Sequence, residues 1–165
     1  MKKRLIYEDQ NGYCRIVTPN PDFQQPKESS EASIARLYAL AIPSVVEFIA
    51  CDEESIPQDL TFRDAWRKGT VGEPIKIDFG KAEEIHRARI RVAAEKKIEQ
   101  LNGQLEKALE NDNLPEQVAI RGTKKILRSI HAMNLTHCKS IEDLKYAIPR
   151  ELHDVWEFYP PLKNR

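Results

Sequence analysis

His131, His137, Cys138 and His153 are all residue types that ligate zinc, and they lie close together near the C-terminal end. Tetrahedral zinc is held through short fixed spacings such as C-x-x-C, or by two histidines one helical turn apart as in H-E-x-x-H. Neither spacing occurs, and the adjacent pair His137 and Cys138 is poor chelate geometry for one ion. Structural or surface roles are expected for all four, with no metal and no cofactor. Cys51 is the other candidate for chemistry. It ends an apolar run and precedes Asp52, Glu53 and Glu54, whose negative charge raises a thiol pKa rather than activating it. A G-x-S-x-G elbow, a phosphate-cradling P-loop and a dinucleotide-binding glycine pattern are all missing. These residues predict a protein that is not an enzyme.

The remaining chemistry is basic. Arg87, Arg89, Arg91, Lys96 and Lys97 form one cluster, and Arg121, Lys124, Lys125 and Arg128 another. Cations along one helix side can follow a phosphate backbone. Yet Glu83, Glu84, Glu95, Glu99 and Glu106 are interleaved, and base-stacking aromatics are missing between residues 81 and 133. A solvated, ion-paired surface is the stronger expectation, and nucleic acid the weaker one.

Composition points the same way. Among 165 residues, 26 basic and 26 acidic side chains cancel, whereas a protein that coats nucleic acid gains affinity from net positive charge. Three widely separated cysteines, Cys14, Cys51 and Cys138, fit reduced thiols in a reducing cytoplasm better than a disulfide framework. No apolar run approaches the roughly 20 residues of a membrane span, so no membrane association is expected. Met1-Lys2-Lys3-Arg4 imitates the start of a signal peptide, but Leu5-Ile6-Tyr7 gives way at once to Glu8 and Asp9, so the apolar region of such a peptide is not expected.

The elements that position these residues divide into two parts. Residues 4–18 read as a β-hairpin, because Asn11-Gly12 supplies the positive φ of a tight turn. Residues 19–30 read as a proline-rich loop, residues 31–40 as a helix carrying Ile34, Leu37 and Tyr38, and residues 45–51 as a strand. Thr61 and Asp64 look like a helix-start capping pair. Phe62, Ala65 and Trp66 follow at the spacing of one buried helical stripe over 62–68, with Gly69 to end it. Ile75-Lys76-Ile77 alternates as a short strand, and Asp78 can cap the helix beyond. Phe62 and Trp66 are the expected core anchors.

The same stretch resembles a family of small proteins encoded among the tail and tail-fibre genes of bacteriophages and prophages. The resemblance rests on Thr61-Phe62-Arg63-Asp64-Ala65-Trp66, Ile77-Asp78, Lys81-Ala82 and Ile85-His86-Arg87 leading to Ile90-Arg91. A looser likeness to the C-terminal part of phage tail assembly chaperones runs through Ile126-Leu127-Arg128, residues 140–145 and Ile148-Pro149. It implies a tail or tail-fibre component, or a chaperone that handles such proteins, with tail or tail-fibre proteins as partners. The implied location is the host bacterial cytoplasm during assembly, or the virion tail. The competing class is a small nucleic-acid-binding regulator.

The second half reads as helical. Ile90, Ala94, Ile98, Leu101, Leu105 and Ala108 recur in steps of three or four, a coiled-coil-like seam. Glu110-Asn111-Asp112-Asn113 breaks it, Pro115 sits in the first turn of a new helix, and Ala119, Ile126, Ile130 and Met133 mark its stripe. A link this short favours an antiparallel hairpin. Gly103 and Gly122 then fall at matching heights, which predicts a close backbone crossing. Glu99 and Glu106 are expected to meet Arg121 and Arg128, each pair contributing about 0.2–1 kcal/mol. Such a seam also leaves self-association open.

Ser140 with Asp143 predicts a short capped helix, and Pro149 another turn. Val155, Trp156, Phe158, Tyr159, Pro160 and Pro161 crowd the C-terminus, where an uncovered cluster would be a large apolar patch. Its own helical pair or another protein can cover it, and as a partner surface it is the expected docking point. The predicted fold is α+β, with a small β-rich unit over 1–77 and a helical-hairpin region over 78–165.

Overall fold

The computed structural model describes residues 3–18, 29, 32, 33, 36 and 47–159. The chain divides into two compact units, Met1–Asp78 and Phe79–Arg165. The fold is α+β, with small antiparallel sheets first, then a long helix pair and short C-terminal helices.

In the first unit, strand β1 (Lys3–Glu8) lies between β2 (Cys14–Val17) and β3 (Phe48–Asp52), antiparallel to both. Ile6 stands opposite Ile16 on one side and Ile49 on the other. The β1–β2 turn is fixed locally. Gly12 takes φ +76°, and Asp9 Oδ1 accepts the N–H groups of Asn11 at 2.9 Å and Tyr13 at 3.0 Å. Strands β4 (Trp66–Lys68) and β5 (Ile75–Ile77) form a second hairpin with Trp66 opposite Ile77. Ile6, Cys51, Trp66 and Ile75 make its buried cluster, with Cys14, Ile16, Ile56 and Ile77 packed around it. Of the helix expected over 31–40, Ala32, Ser33 and Arg36 are helical and the rest lies outside the described residues, as do the loop positions other than Ser29 and the strand positions Val45 and Val46.

The helix expected over 62–68 does not form. Arg63–Ala65 is a single 3-10 turn, and Trp66 already belongs to β4. Phe62 and Trp66 are nonetheless each 1% exposed. A 3-10 turn followed by a strand buries the same side chains as the expected helix, and pairing with Ile75–Ile77 decides between them. Asp78 N–H closes the arrangement onto Ala65 O at 2.9 Å. The expected capping pair is replaced as well: Thr61 N–H bonds Asp59 Oδ1 at 2.9 Å, and the N-cap residue, Phe62, makes no side-chain cap bond. Gly69 ends a strand rather than a helix. Its N–H donates to Pro74 O at 2.9 Å, and a Cβ there would sit 2.0 Å from Glu73 O.

In the second unit, helix α1 (Phe79–Glu110) and helix α2 (Leu114–Ser129) pair antiparallel. Gln117 Nε2 donates to Ala108 O at 3.1 Å and Lys124 Nζ to Asn102 Oδ1 at 2.5 Å, which sets their register. The reversal places Asp112 at φ +50°, and Asn113 caps α2 by accepting Glu116 N–H. The α1 seam packs into one core with Ile120, Leu127, Ile130 and the C-terminal segment. A 3-10 turn (Ile130–Ala132), helix α3 (Ile141–Tyr146) and a second 3-10 turn (Arg150–Leu152) complete the unit.

Three expectations about the pair change. Gly103 and Gly122 are exposed, and a Cβ on either would meet nothing within 4 Å. Their heights match, but each lies two residues from a seam position (Leu101 or Leu105, and Ile120). Two residues are roughly 200° around a helix, so both point outward. The buried stripe of α2 is Gln117, Ile120 and Leu127, running on to Ile130, whereas Ala119 and Ile126 are exposed. Finally, Glu99 and Glu106 do not pair with Arg121 or Arg128 among the described residues. All four are exposed.

Candidate functional site

The C-terminal aromatic cluster is built from α3 onward. Ser140 Oγ accepts Asp143 N–H at 3.0 Å while Asp143 Oδ2 accepts Ser140 N–H at 3.0 Å, a reciprocal cap that fixes where α3 begins. Bonds from the Lys139 and Ser140 backbone and the Ser140 hydroxyl hold the Asp143 carboxyl below its ordinary pKa. Beyond Pro149 the chain returns along α1, tied down by ion pairs from Lys97 to Asp154 and Lys96 to Glu157.

This return brings Val155, Trp156 and Tyr159 into the core of their own unit. That corrects the docking expectation for those three residues, because side chains buried against α1 present no surface to a partner. Phe158 keeps 41% of its surface exposed. Pro160 and Pro161 lie outside the described residues.

At the centre is His86, 0% exposed. Its Nε2–H donates to Ala147 O at 3.1 Å, and its Nδ1 accepts the Tyr159 hydroxyl. Nε2 faces a carbonyl and so carries a proton, and burial, which disfavours the charged ring, leaves Nδ1 as the acceptor. Burial pushes the His86 pKa down and the Tyr159 pKa up. Trp156 meets His86 edge-on at 5.8 Å and Tyr159 at 5.2 Å, while the Arg89 guanidinium lies 5.6 Å from the centres of both the Phe158 and Tyr159 rings. Trp156 Nε1 is buried with no acceptor among the described residues. Burial disfavours charge on either ring, and each finds its hydrogen-bond partner inside the core.

Sequence reasoning left His86 unassigned although it sits one turn before Ile90 on the seam. That position was the available signal: a polar side chain in an apolar stripe must find partners inside.

The basic clusters are dispersed. Arg87 is held by Glu83 at 2.7 Å and donates to Met133 O at 2.8 Å. Arg89, Lys96, Lys97 and Lys124 are engaged as described above. Arg91 and Arg128, with Glu95, border a cleft of about 370 Å³ floored by Ala94, Ile98, Leu127 and Ile130. Arg121, Lys125 and Arg128 remain exposed on α2, without an ion pair among the described residues.

Of the zinc-type side chains, Cys138 is buried, and desolvation pushes its thiol pKa up. His153 faces Ile148 O at 3.2 Å, His137 is exposed, and the His131 side chain lies outside the described residues. No three histidine, cysteine or acidic side chains gather as a metal site among the described residues. In the first unit, desolvation raises the Cys14 thiol to about 11, and Cys51 is buried in the cluster. Among the described residues, no helix is long and apolar enough to cross a membrane.

An apolar surface does exist, on the outer side of α2. Leu114 is 68%, Val118 67% and Ile126 52% exposed, with Ala119 and Gly122 beside them. Comparison with protein-family models, with curated proteins and with solved structures finds no match.

Proposed function

We propose that this chain is a tail-associated protein of a bacteriophage or prophage that acts by protein–protein contact. It serves either as a minor component of the tail or its fibres or as a chaperone for tail or tail-fibre proteins during assembly. The class of protein is supported by the resemblance carried by Thr61–Trp66 and the run from Ile77 to Arg91. The mode of action is supported by one structural observation: α2 is apolar on two faces. Ile120 and Leu127 fill the core, while Leu114, Val118 and Ile126 stand in solvent. A helix with one face buried normally carries polar residues on the other, and an exposed apolar patch marks an interaction surface. This supports the outer face of α2, rather than the C-terminal aromatics, as the partner surface.

The test is co-purification with tail and tail-fibre proteins encoded beside the gene. Val118→Asp with Ile126→Asp should abolish capture while helix content is kept. Capture unaffected by that pair of changes, or no capture of any such protein by the parent chain, defeats the reading.

The competing class, a small nucleic-acid-binding regulator, has in its favour the exposed row Arg121, Lys125 and Arg128. Against it, four of the nine cations in the two basic clusters (Arg87, Lys96, Lys97 and Lys124) already serve partners within their own unit. Salt-sensitive retention on DNA, lost in Arg121→Gln with Lys125→Gln, would establish it.

A further inference from the structure

The side of the helix pair that carries the cleft holds two charged rows of opposite sign. On α1, Glu95, Glu99, Glu106 and Glu110 are all exposed and recur at spacings that keep them on one face. On α2, Arg121, Lys125 and Arg128 follow at i, i+4 and i+7, also exposed. None of these seven side chains makes an ion pair or side-chain hydrogen bond among the described residues. The rows share one side of the pair, because Glu95 and Arg128 border the same cleft and Lys124 reaches Asn102 beside it. The register set by that contact brings residues 121–128 level with the central part of the acidic row.

Within one chain this arrangement is unfavourable. Glu95 with Glu99, Glu106 with Glu110, and Arg121 with Lys125 are like charges one helical turn apart, which weakens each helix. On α1 the strain is partly relieved by Arg91 one turn before Glu95, Lys96 before Glu99 and Lys107 before Glu110, whereas no carboxylate stands three or four residues from Arg121, Lys125 or Arg128.

We infer that this face is a self-association surface, on which the acidic row of α1 in one copy docks against the basic row of α2 in a second. A twofold axis parallel to the helices lays α1 of each copy over α2 of the other at the same height, so both contacts form at once. The same patch serves both copies, as an isologous dimer requires. Single surface ion pairs contribute little, so the dimer depends on several acting together, and salt screening weakens it. The inference does not rest on the tail reading, since it uses charged residues of both helices and no second protein, although Val118 stands one turn before Arg121 and the two surfaces adjoin.

Sedimentation equilibrium of the full chain across a salt series tests it. A dimer is expected at low salt, with a dissociation constant weakened roughly tenfold or more at high salt. Two charge-reversed chains sharpen the test. One carries Arg121→Glu, Lys125→Glu and Arg128→Glu, and the other carries Glu95→Lys, Glu99→Lys and Glu106→Lys. Each alone should be monomeric, and an equimolar mixture should dimerise. A parent chain that stays monomeric at every salt concentration overturns the inference. So do reversed chains that dimerise alone as tightly as the parent, and a mixture that fails to associate. If circular dichroism shows a reversed chain unfolded, the corresponding glutamine substitutions replace it, and parent-like dimerisation of those chains overturns the inference equally.

Discussion

The Tyr159 hydroxyl donates to Nδ1 of His86, joining the end of the described chain to the first turns of α1 inside a closed core. Tyr159→Phe keeps the ring and removes only the donor, leaving a buried nitrogen without its partner. The expected loss is about 1–3 kcal/mol, read as a lower denaturant midpoint at unchanged slope. Deletion of residues 155–165, which also removes Val155 and Trp156, should cost more and reduce helix content. Unchanged unfolding of either variant would show that the cluster is not part of the core.

His86 also makes stability depend on pH. Its folded pKa lies below the ordinary value of 6.5, chiefly through burial, with Arg89 and Arg87 adding to the shift and the bond to Ala147 and Glu83 opposing it. The unfolded chain therefore takes up a proton near pH 6.5 that the folded chain refuses. Stability is complete above that pH and falls as the pH drops below it, by up to about 1.4 kcal/mol per unit until the folded pKa is reached. His86→Gln should be less stable throughout but lack this contribution to the slope. Parallel pH profiles for parent and variant would refute the assignment.

Trp66 is 1% exposed in the cluster of the first unit. Trp66→Ala should remove about 3–5 kcal/mol from that unit, a large share of a small domain's stability. An unchanged thermal transition would contradict the packing described here.

Gly103 and Gly122 face open space within their helices. Alanine at either position removes the entropic cost of a mid-helix glycine without meeting a neighbour, so each change should stabilise by roughly 0.5–1 kcal/mol. Destabilisation by Gly103→Ala would restore the close crossing that the sequence suggests.

Local chemistry was legible in the sequence, and azimuth and tertiary cover were not. Asn11-Gly12 announces its turn because positive φ is a local property, taken here by Gly12 alone of the two. Ser140 with Asp143 announces α3 for the same reason, and the seam from Ile90 to Ala108 is long enough to fix the face of α1. The two glycines mislead because height along a helix follows from residue number alone and facing does not: each stands two residues, about 200°, from a seam position. In α2 the adjacent Ile126 and Leu127 compete for the inside. Counting only apolar residues passes over Gln117, which is buried because its amide satisfies Ala108 O. The 62–68 helix fails because a strand partner at Ile75–Ile77 outweighs local spacing. The cover over Trp156 and Tyr159 comes from α1, some 60 to 70 residues earlier in the chain, a relation that no short window contains.

The chain's two tryptophans, Trp66 and Trp156, lie one in each unit, both buried. Each unit thus carries its own intrinsic fluorophore. With Trp156→Phe, emission reports only the β-rich unit, and with Trp66→Phe only the helical one. Buried indoles emit toward the blue and shift red when water reaches them, so two single-tryptophan chains titrated with denaturant give each unit's own melting curve without any added label.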